Sequence, residues 1–296
     1  MKKLFNLVLI GVFILPQITY GALLDNLVSY WALEETSGAR VDLFGTNDLT
    51  DNNTVLYGTG INTNGADFES INNESLSITD GAQTGLDFNG DFAQSYWVNF
   101  ESLADHTFSV KGYNTGSQRG YTFRYVNAST DLEFQSASSC TGGASVTVDW
   151  VPSTGVWYNV VINFNSVAGE LDFYVNGSQV GTTQTVQSPL CDSTETFYMG
   201  IWFDSGTPYY PQDGIMDEIA FWSRLLTTDE ITELFNGGTG TFYDGISFGS
   251  GNGGGGDSGN LATSTIEQMQ ENLASGIFIF IAMFWFIIWF FRKRNK

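Results

Sequence analysis

Few side chains in this sequence are placed to do chemistry, and their types narrow what that chemistry is. Asp217 falls in Ile215-Met216-Asp217-Glu218-Ile219-Ala220-Phe221, where it shares strand parity with Ile215, Ile219 and Phe221, the expected core face. A carboxylate there must find a cation or hydrogen-bond donors, because burying it unpaired is very costly. Two readings stand. Asp217 is a calcium ligand, joined by Asp42 and by carbonyls near Asn47, since Ca²⁺ takes hard oxygen ligands. Alternatively it accepts backbone N–H bonds and braces the fold. A second group is Trp202, Phe203, Asp204, Tyr209 and Tyr210, in a stretch broken by Ser205, Gly206, Pro208 and Pro211 that reads as a loop. Aromatic rings on a loop are a binding signal; their faces stack on sugar rings, and an acid beside them bonds sugar hydroxyls. The alternative is that Trp202 ends a core strand and the tyrosines pack against the rim. Cys140 and Cys191 are the two cysteines. They form a disulfide if the domain is exported, and are free thiols otherwise.

Composition removes several function classes. The 296 residues carry 32 acidic against 11 basic side chains, a formal charge of −21. Six of the basic residues lie at the two ends, so Ala22 to Asn272 holds five against 32, a net of −27. Nucleic-acid binding needs a Lys/Arg surface and is excluded. One histidine, His106, rules out a multi-His metal centre, and any Ser–His–Asp triad would hang on that residue. Asp217 and Glu218 are adjacent, which on a regular strand sends them to opposite faces and prevents them from acting as a pair.

Short strand patterns separated by Gly, Asn, Asp and Ser must position these groups. In Val156–Phe164 one parity is Tyr158, Val160, Ile162 and Phe164, all apolar. Leu171–Val175 and Ser178–Val180 flank Asn176-Gly177, a hairpin signal. Further strands are expected at Leu27–Ala32, Phe92–Phe100, Gly120–Val126, Leu132–Ser136, Ser145–Trp150, Glu195–Trp202 and Ile215–Trp222. One helix is expected at Thr228–Phe235, opened by the capping box Thr227-Thr228-Asp229-Glu230. The pattern predicts an all-β antiparallel jelly-roll sandwich.

The ends set an address. Met1–Gly21 reads as a signal peptide: Lys2 and Lys3, a short apolar run, then small residues before a cut at Ala22. The domain is expected over 22–247. Phe248–Asn260 reads as a Gly-rich flexible linker that leads, with a juxtamembrane segment, to residue 272. Leu273–Phe291 is nineteen uncharged residues, a single transmembrane helix, and the basic tail 292–296 places the C-terminus in the cytoplasm. The expected location is the cell surface, single-pass, with the N-terminal domain outside.

Several segments together resemble the laminin G-like, concanavalin A-like lectin/glucanase jelly-roll domains. They are Leu27–Gly38 with Tyr30-Trp31; Val41–Leu49; Phe92–Asn99 with Trp97; Gly155–Val161; Phe173–Gly177; and Asp213–Leu226 running into Thr228–Ile231. The resemblance implies a concanavalin A-like sandwich, and calcium sites in related jelly rolls favour Ca²⁺ as a cofactor. Related glucanases carry a Glu-x-Asp-x-x-Glu strand. Glu170-Leu171-Asp172 begins that pattern, but its third acid is replaced by Val175, so no catalytic residues and no enzymatic activity are expected. The expected function is a membrane-anchored extracellular recognition or adhesion module binding glycans or a surface protein. The alternatives are a structural or viral surface protein without sugar binding, and a glycoside hydrolase on the same fold.

Overall fold

The structure, a computed structural model, describes residues 22–112 and 119–250. The chain divides into two units, Met1–Gly253 and Gly254–Lys296, and every described residue lies in the first. The expected signal peptide, transmembrane helix and basic tail, and the linker after Ser250, lie outside the described residues. Among the described residues no helix is long and apolar enough to cross a membrane.

Two antiparallel sheets face each other. The first has eight strands. Seven run in the order Ser178–Thr185, Glu170–Val175, Trp157–Asn165, Phe92–Phe100, Gly214–Trp222, Asn64–Phe68 and Leu56–Thr59. The eighth, Leu27–Trp31, pairs with the second half of Gly214–Trp222. The second sheet runs Ala144–Asp149, Asp131–Ser136, Arg119–Val126, His106–Gly112, Phe197–Met199, Ser75–Ile78 and Thr50–Asn52. Alternation of side chains puts Phe92, Tyr96, Val160, Ile162, Phe164 and Phe173 of the first sheet against Phe108, Phe123, Tyr125, Leu132 and Phe134 of the second, all buried in one core. Asn176 and Gly177 both take positive φ, 51° and 76°, in the turn that Asn-Gly forecasts.

A second apolar cluster covers the outer face of the first sheet. Tyr30, Ala93, Val161, Tyr174, Ala220 and Trp222 of that face meet Leu23, Leu226, Ile231, Leu234 and Phe248. The helix Thr228–Phe235 supplies Ile231 and Leu234, and its capping box is formed: the Thr227 hydroxyl accepts the Glu230 N–H while the Glu230 carboxylate accepts the Thr227 N–H. Arg224 holds the same carboxylate in a bidentate pair at 2.6 and 2.9 Å. The hairpin Thr241–Tyr243 with Phe248–Ser250 completes the cover, and Phe248 is buried. The flexible linker therefore does not begin at Phe248, as the Gly-rich composition suggested; an aromatic at the edge of that run belongs to the domain.

Two other expectations change. Glu195–Trp202 is not one strand: Phe197–Met199 pairs in the second sheet, and Trp202–Asp204 starts a separate hairpin. Strand parity across Asp217 also reverses. Between Asp217 and Ala220 the first strand advances three residues while its partner advances two, from Trp97 to Ser95. This β-bulge carries one extra residue, Glu218, at φ 48°. Met216 faces the inter-sheet core before it, Ile219 and Phe221 after it. Asp217 thus sits on the outer side with Ile215, not on the core face.

Candidate functional site

The bulge explains where the acids go. It falls where Gly214–Trp222 changes neighbours, from Asn64–Phe68 on one half to Leu27–Trp31 on the other. The loop before Asn64 fills the gap. Asp217 Oδ2 accepts the N–H groups of Ile61 and Asn62 at 2.8 and 3.4 Å, and Oδ1 accepts the Glu218 N–H at 2.8 Å. A side chain at position 60 would strike Asp217 Oδ2 and the Asn64 carbonyl, so the close approach needs Gly60. Glu218 accepts from Asn62 Nδ2 at 2.9 Å and from the Tyr30 hydroxyl, which in turn accepts the Tyr243 N–H at 3.0 Å. The two carboxylates share one buried pocket instead of pointing to opposite faces, because the extra residue breaks the alternation. Burial pushes the Glu218 carboxyl up to about 8, with the Glu34 charge adding to the rise. Burial and the Glu218 charge push Asp217 well above its usual range. With Asp217 fully buried and Glu218 3% exposed, no substrate reaches this pair, and it is not a catalytic dyad.

Asp42 and Asn47 are elsewhere and are fully employed. Asp42 accepts four backbone N–H groups, from Tyr30, Phe44, Gly45 and Asn47, at 2.8–3.1 Å. Asn47 exchanges two bonds with the backbone of Thr84 and donates to Ser29 Oγ, and its carbonyl accepts the Trp31 indole N–H. The structure does not gather Asp42, Asn47 and Asp217 around one point, and their carboxylate and amide oxygens face N–H donors. These residues do not fit a calcium ion. A set that the sequence did not single out, Asp67, Glu69 and Glu101, brings its carboxylate oxygens within 4.8 Å of one another. Burial raises Asp67 and Glu101, and neighbouring acids raise them further.

His106 is buried between the rings of Phe100 and Tyr125, with its nitrogens against the backbone of Ser102, Ala104 and Pro211. Burial lowers its pKa. Among the described residues its ring nitrogens meet backbone groups and no serine hydroxyl. Asp172 accepts from Gln179 and Thr183 on the adjacent strand, and Val175 is buried.

The aromatic group forms a surface. Trp202–Asp204 pairs with Thr207–Tyr209 around Ser205-Gly206, whose φ values of 53° and 82° make a two-residue hairpin turn. The backbone docks the hairpin on the second sheet: the Thr107 N–H donates to the Tyr210 carbonyl at 3.0 Å and the Gln212 N–H to that of Gly200 at 2.7 Å. Trp202 lies buried beneath it. Phe203 packs on Tyr198 at 4.9 Å, and Tyr209 on Tyr210 at 5.9 Å. Arg124 connects hairpin to sheet; its guanidinium lies 4.4 Å from the Tyr210 ring centre and 5.6 Å from that of Trp202. Tyr209 remains 42% exposed, while Phe203, Asp204 and Tyr210 are half-buried.

Register defines the rest of this face. Tyr198, Val110, Thr122, Gln135 and Ser145 stand side by side across the second sheet, with Arg124, Glu133 and Thr147 in the next row. Glu133 receives Arg124 through three bonds at 3.1–3.2 Å and also accepts from Gln135 and Ser145. A recess beside Thr122 and Gln135 has about 10 Å³, about the room of one water molecule. A ligand would lie across the face, on aromatic rings at one side and amide, hydroxyl and carboxylate groups at the other. Cys140 and Cys191 are joined in a disulfide with Cα atoms 5.1 Å apart. The bond fastens the loop after Asp131–Ser136, at the edge of this sheet, with the Cys191 N–H on the Ala137 carbonyl.

Comparison with known proteins agrees with this architecture. No curated protein matches the sequence. Among solved structures, the binding domain of Paraclostridial Mosquitocidal Protein 1 superposes with a TM-score of 0.58 at 17% identity, over 73% of this chain and 53% of that one. Domain 4 of an extracellular arabinanase from Geobacillus stearothermophilus, in complex with arabinotriose, gives 0.53 at 18% identity, over 70% and 97%. Trypanosoma rangeli sialidase bound to a difluoro sugar analogue gives 0.53 at 17% identity, over 73% and 34%. The chain spans about half the length of the toxin binding domain. At these identities the likeness is one of fold. The family model of the concanavalin A-like lectin/glucanases superfamily matches residues 70–232. That match takes in most strands of both sheets, the aromatic hairpin and the bulged strand, and the chain belongs to this superfamily.

Proposed function

We propose that this chain is a recognition module that binds glycan across the outer face of the second sheet, with the Trp202–Tyr210 hairpin as its stacking platform. The carrying observation is the set of part-exposed rings, Tyr198, Phe203 and Tyr209, on the same outer sheet face as the part-exposed Gln135 and the exposed Ser145. Arabinotriose on a structurally similar domain supports the reading, as do a similar sialidase and the receptor binding domain of a botulinum neurotoxin mosaic serotype C/D. We read the module as non-catalytic: the Asp217–Glu218 pair on the bulged strand is buried, and the glucanase-like acid pattern stops at Val175. The disulfide suits an exported domain. We infer presentation at a cell surface, with Leu273–Phe291 as the membrane anchor and a Gly-rich tether between. Asp42, Asn47 and Asp217 are occupied by N–H donors and supply no calcium site to this reading.

The test is a glycan array probed with the full-length chain and with Phe203→Ala and Tyr209→Ala. Binding by the parent, weakened by about tenfold in each variant as expected for loss of a stacking ring, supports the proposal. Binding that is unaffected by both variants would move the site off the hairpin.

A further inference from the structure

We infer that the glycan taken by this face is neutral, and that sialylated, sulfated or uronic-acid sugars are excluded by charge. The inference rests on the glycan-binding reading above and specifies its ligand. Carboxylate and sulfate groups are bound in proteins by free guanidinium or ammonium groups, or by clustered N–H donors. The cations whose side chains are described offer none. Arg40 is fully buried and donates to the carbonyls of Gly38, Val55 and Leu56. Lys111 is buried against Asp80 and Asp87. Arg224 is committed to Glu230 on the far side of the molecule. Arg124 is the one of these on the proposed face; its Nε and Nη2 are spent on Glu133, and its Nη1, which has no hydrogen-bond partner, is shielded from solvent. Tyr210 covers its plane.

The acids do the opposite. Asp131 and Asp149 occupy the row beyond Arg124 and Glu133 on the same face, and Asp204 sits on the hairpin. With Arg124 cancelled by Glu133, the face keeps a net negative charge inside a domain, residues 22–250, whose 5 basic against 29 acidic side chains give an overall balance of −24. At physiological salt the screening length is about 8 Å, so these near acids set the field a ligand meets. An anionic sugar would give up water without gaining a cation. Neutral hydroxyls escape that penalty: Gln135, Ser145 and the exposed Asp149 carboxylate bond them in place of water, and the rings stack on their apolar faces.

The experiment uses the full-length chain on matched pairs of oligosaccharides that differ only in one anionic group: N-acetyllactosamine with its 3′-sialylated and 6-sulfated forms, and xylo- and galacto-oligosaccharides with their uronic-acid counterparts. The expected result is binding to a neutral member and at least about tenfold weaker binding of its anionic partner, with the gap narrowing as salt is raised. Equal or tighter binding of the anionic member overturns the inference and leaves the glycan reading standing. No binding to any member overturns the glycan reading, and the inference falls with it. Glu133→Gln, checked for an unchanged melting curve, frees the Arg124 charge. The ratio of anionic to neutral binding should then rise, and an unchanged ratio would show that this pair is not what excludes anions. Should that variant unfold, Asp149→Asn at an exposed position asks the same question.

Discussion

The outer faces of the two sheets are built in opposite ways. On the first, a helix, a terminal hairpin and an N-terminal turn lay Leu23, Ile231, Leu234 and Phe248 over Tyr30 and Trp222, and the ionisable groups beneath are locked into N–H and O–H donors. On the second, a hairpin of a few residues stands on Arg124 and leaves a row of hydroxyl and amide groups beside half-exposed rings. The same side-chain alternation generates both. What differs is the residue type on the outward parity: apolar on one sheet, which demands a cover, and polar on the other, which does not. Acids under the cover are part of the fold, whereas rings beside the polar row are available to a partner.

The largest test of that contrast is pH. The Glu218 carboxyl, up at about 8 in the folded protein, lies above its value of 4.5 in the unfolded chain. The folded state holds the extra proton between these values, so this group's contribution is fully present below pH ~4.5 and is lost as pH rises towards 8. A difference of this size corresponds to on the order of 4–5 kcal/mol. Urea unfolding at pH 5 and pH 8.5 should show a decline in the parent, shared with the coupled Asp217, that is reduced in Glu218→Gln and abolished in the Asp217→Asn, Glu218→Gln double variant; equal declines in all three would mean that the pair is not buried as described. Trp222→Ala removes a fully buried ring from the covered face and should cost about 3–5 kcal/mol in the same assay. Replacing Cys140 and Cys191 by serine opens the loop that staples the second sheet, whose ends are 51 residues apart. A loss of about 3–4 kcal/mol is expected in chemical denaturation. Phe203→Ala and Tyr209→Ala should change stability by less than about 1 kcal/mol while weakening glycan binding about tenfold; a large fall in melting temperature would place these rings with the covered face. The smallest effect is chelation. EDTA should leave melting temperature and binding unchanged, and a drop in either would show that a metal ion contributes.

The sequence made the long, regular strands legible because their apolar parities are unbroken, as in Trp157–Asn165, and it made the helix legible through its capping box. Shorter strands such as Leu56–Thr59 and Asn64–Phe68 hide in glycine- and asparagine-rich text, where Gly58 and Gly65 are needed because Ile215 packs on their backbone. His106–Gly112 escaped notice because Ser109 and Lys111 are buried polar residues with dedicated partners. The aromatic cluster was legible as a group, but Ser205-Gly206 reads equally well as loop or hairpin until the flanking strands pair. The bulge was not legible. Nothing local announces a glutamate with positive φ, and one unseen residue inverted the face assigned to Asp217 and brought Glu218 to its side. Asp42 reads as a calcium ligand in the sequence, but its partners are main-chain donors from its own turn and from Tyr30, which composition alone cannot distinguish from an ion.

The Tyr30 hydroxyl, set between Glu218 and the Tyr243 N–H, fastens the first strand to the last hairpin, so the domain enters at Leu23 and leaves at Ser250 on the same covered side. For anyone wishing to display, immobilise or label the protein, this is a built-in handle. An affinity tag or surface coupling at either terminus of the domain grips it from behind and leaves the polar face turned outward. A circular permutant that joins those termini by a bridge, and opens the chain at the exposed Val167 turn, should keep the polar face of the second sheet uninterrupted.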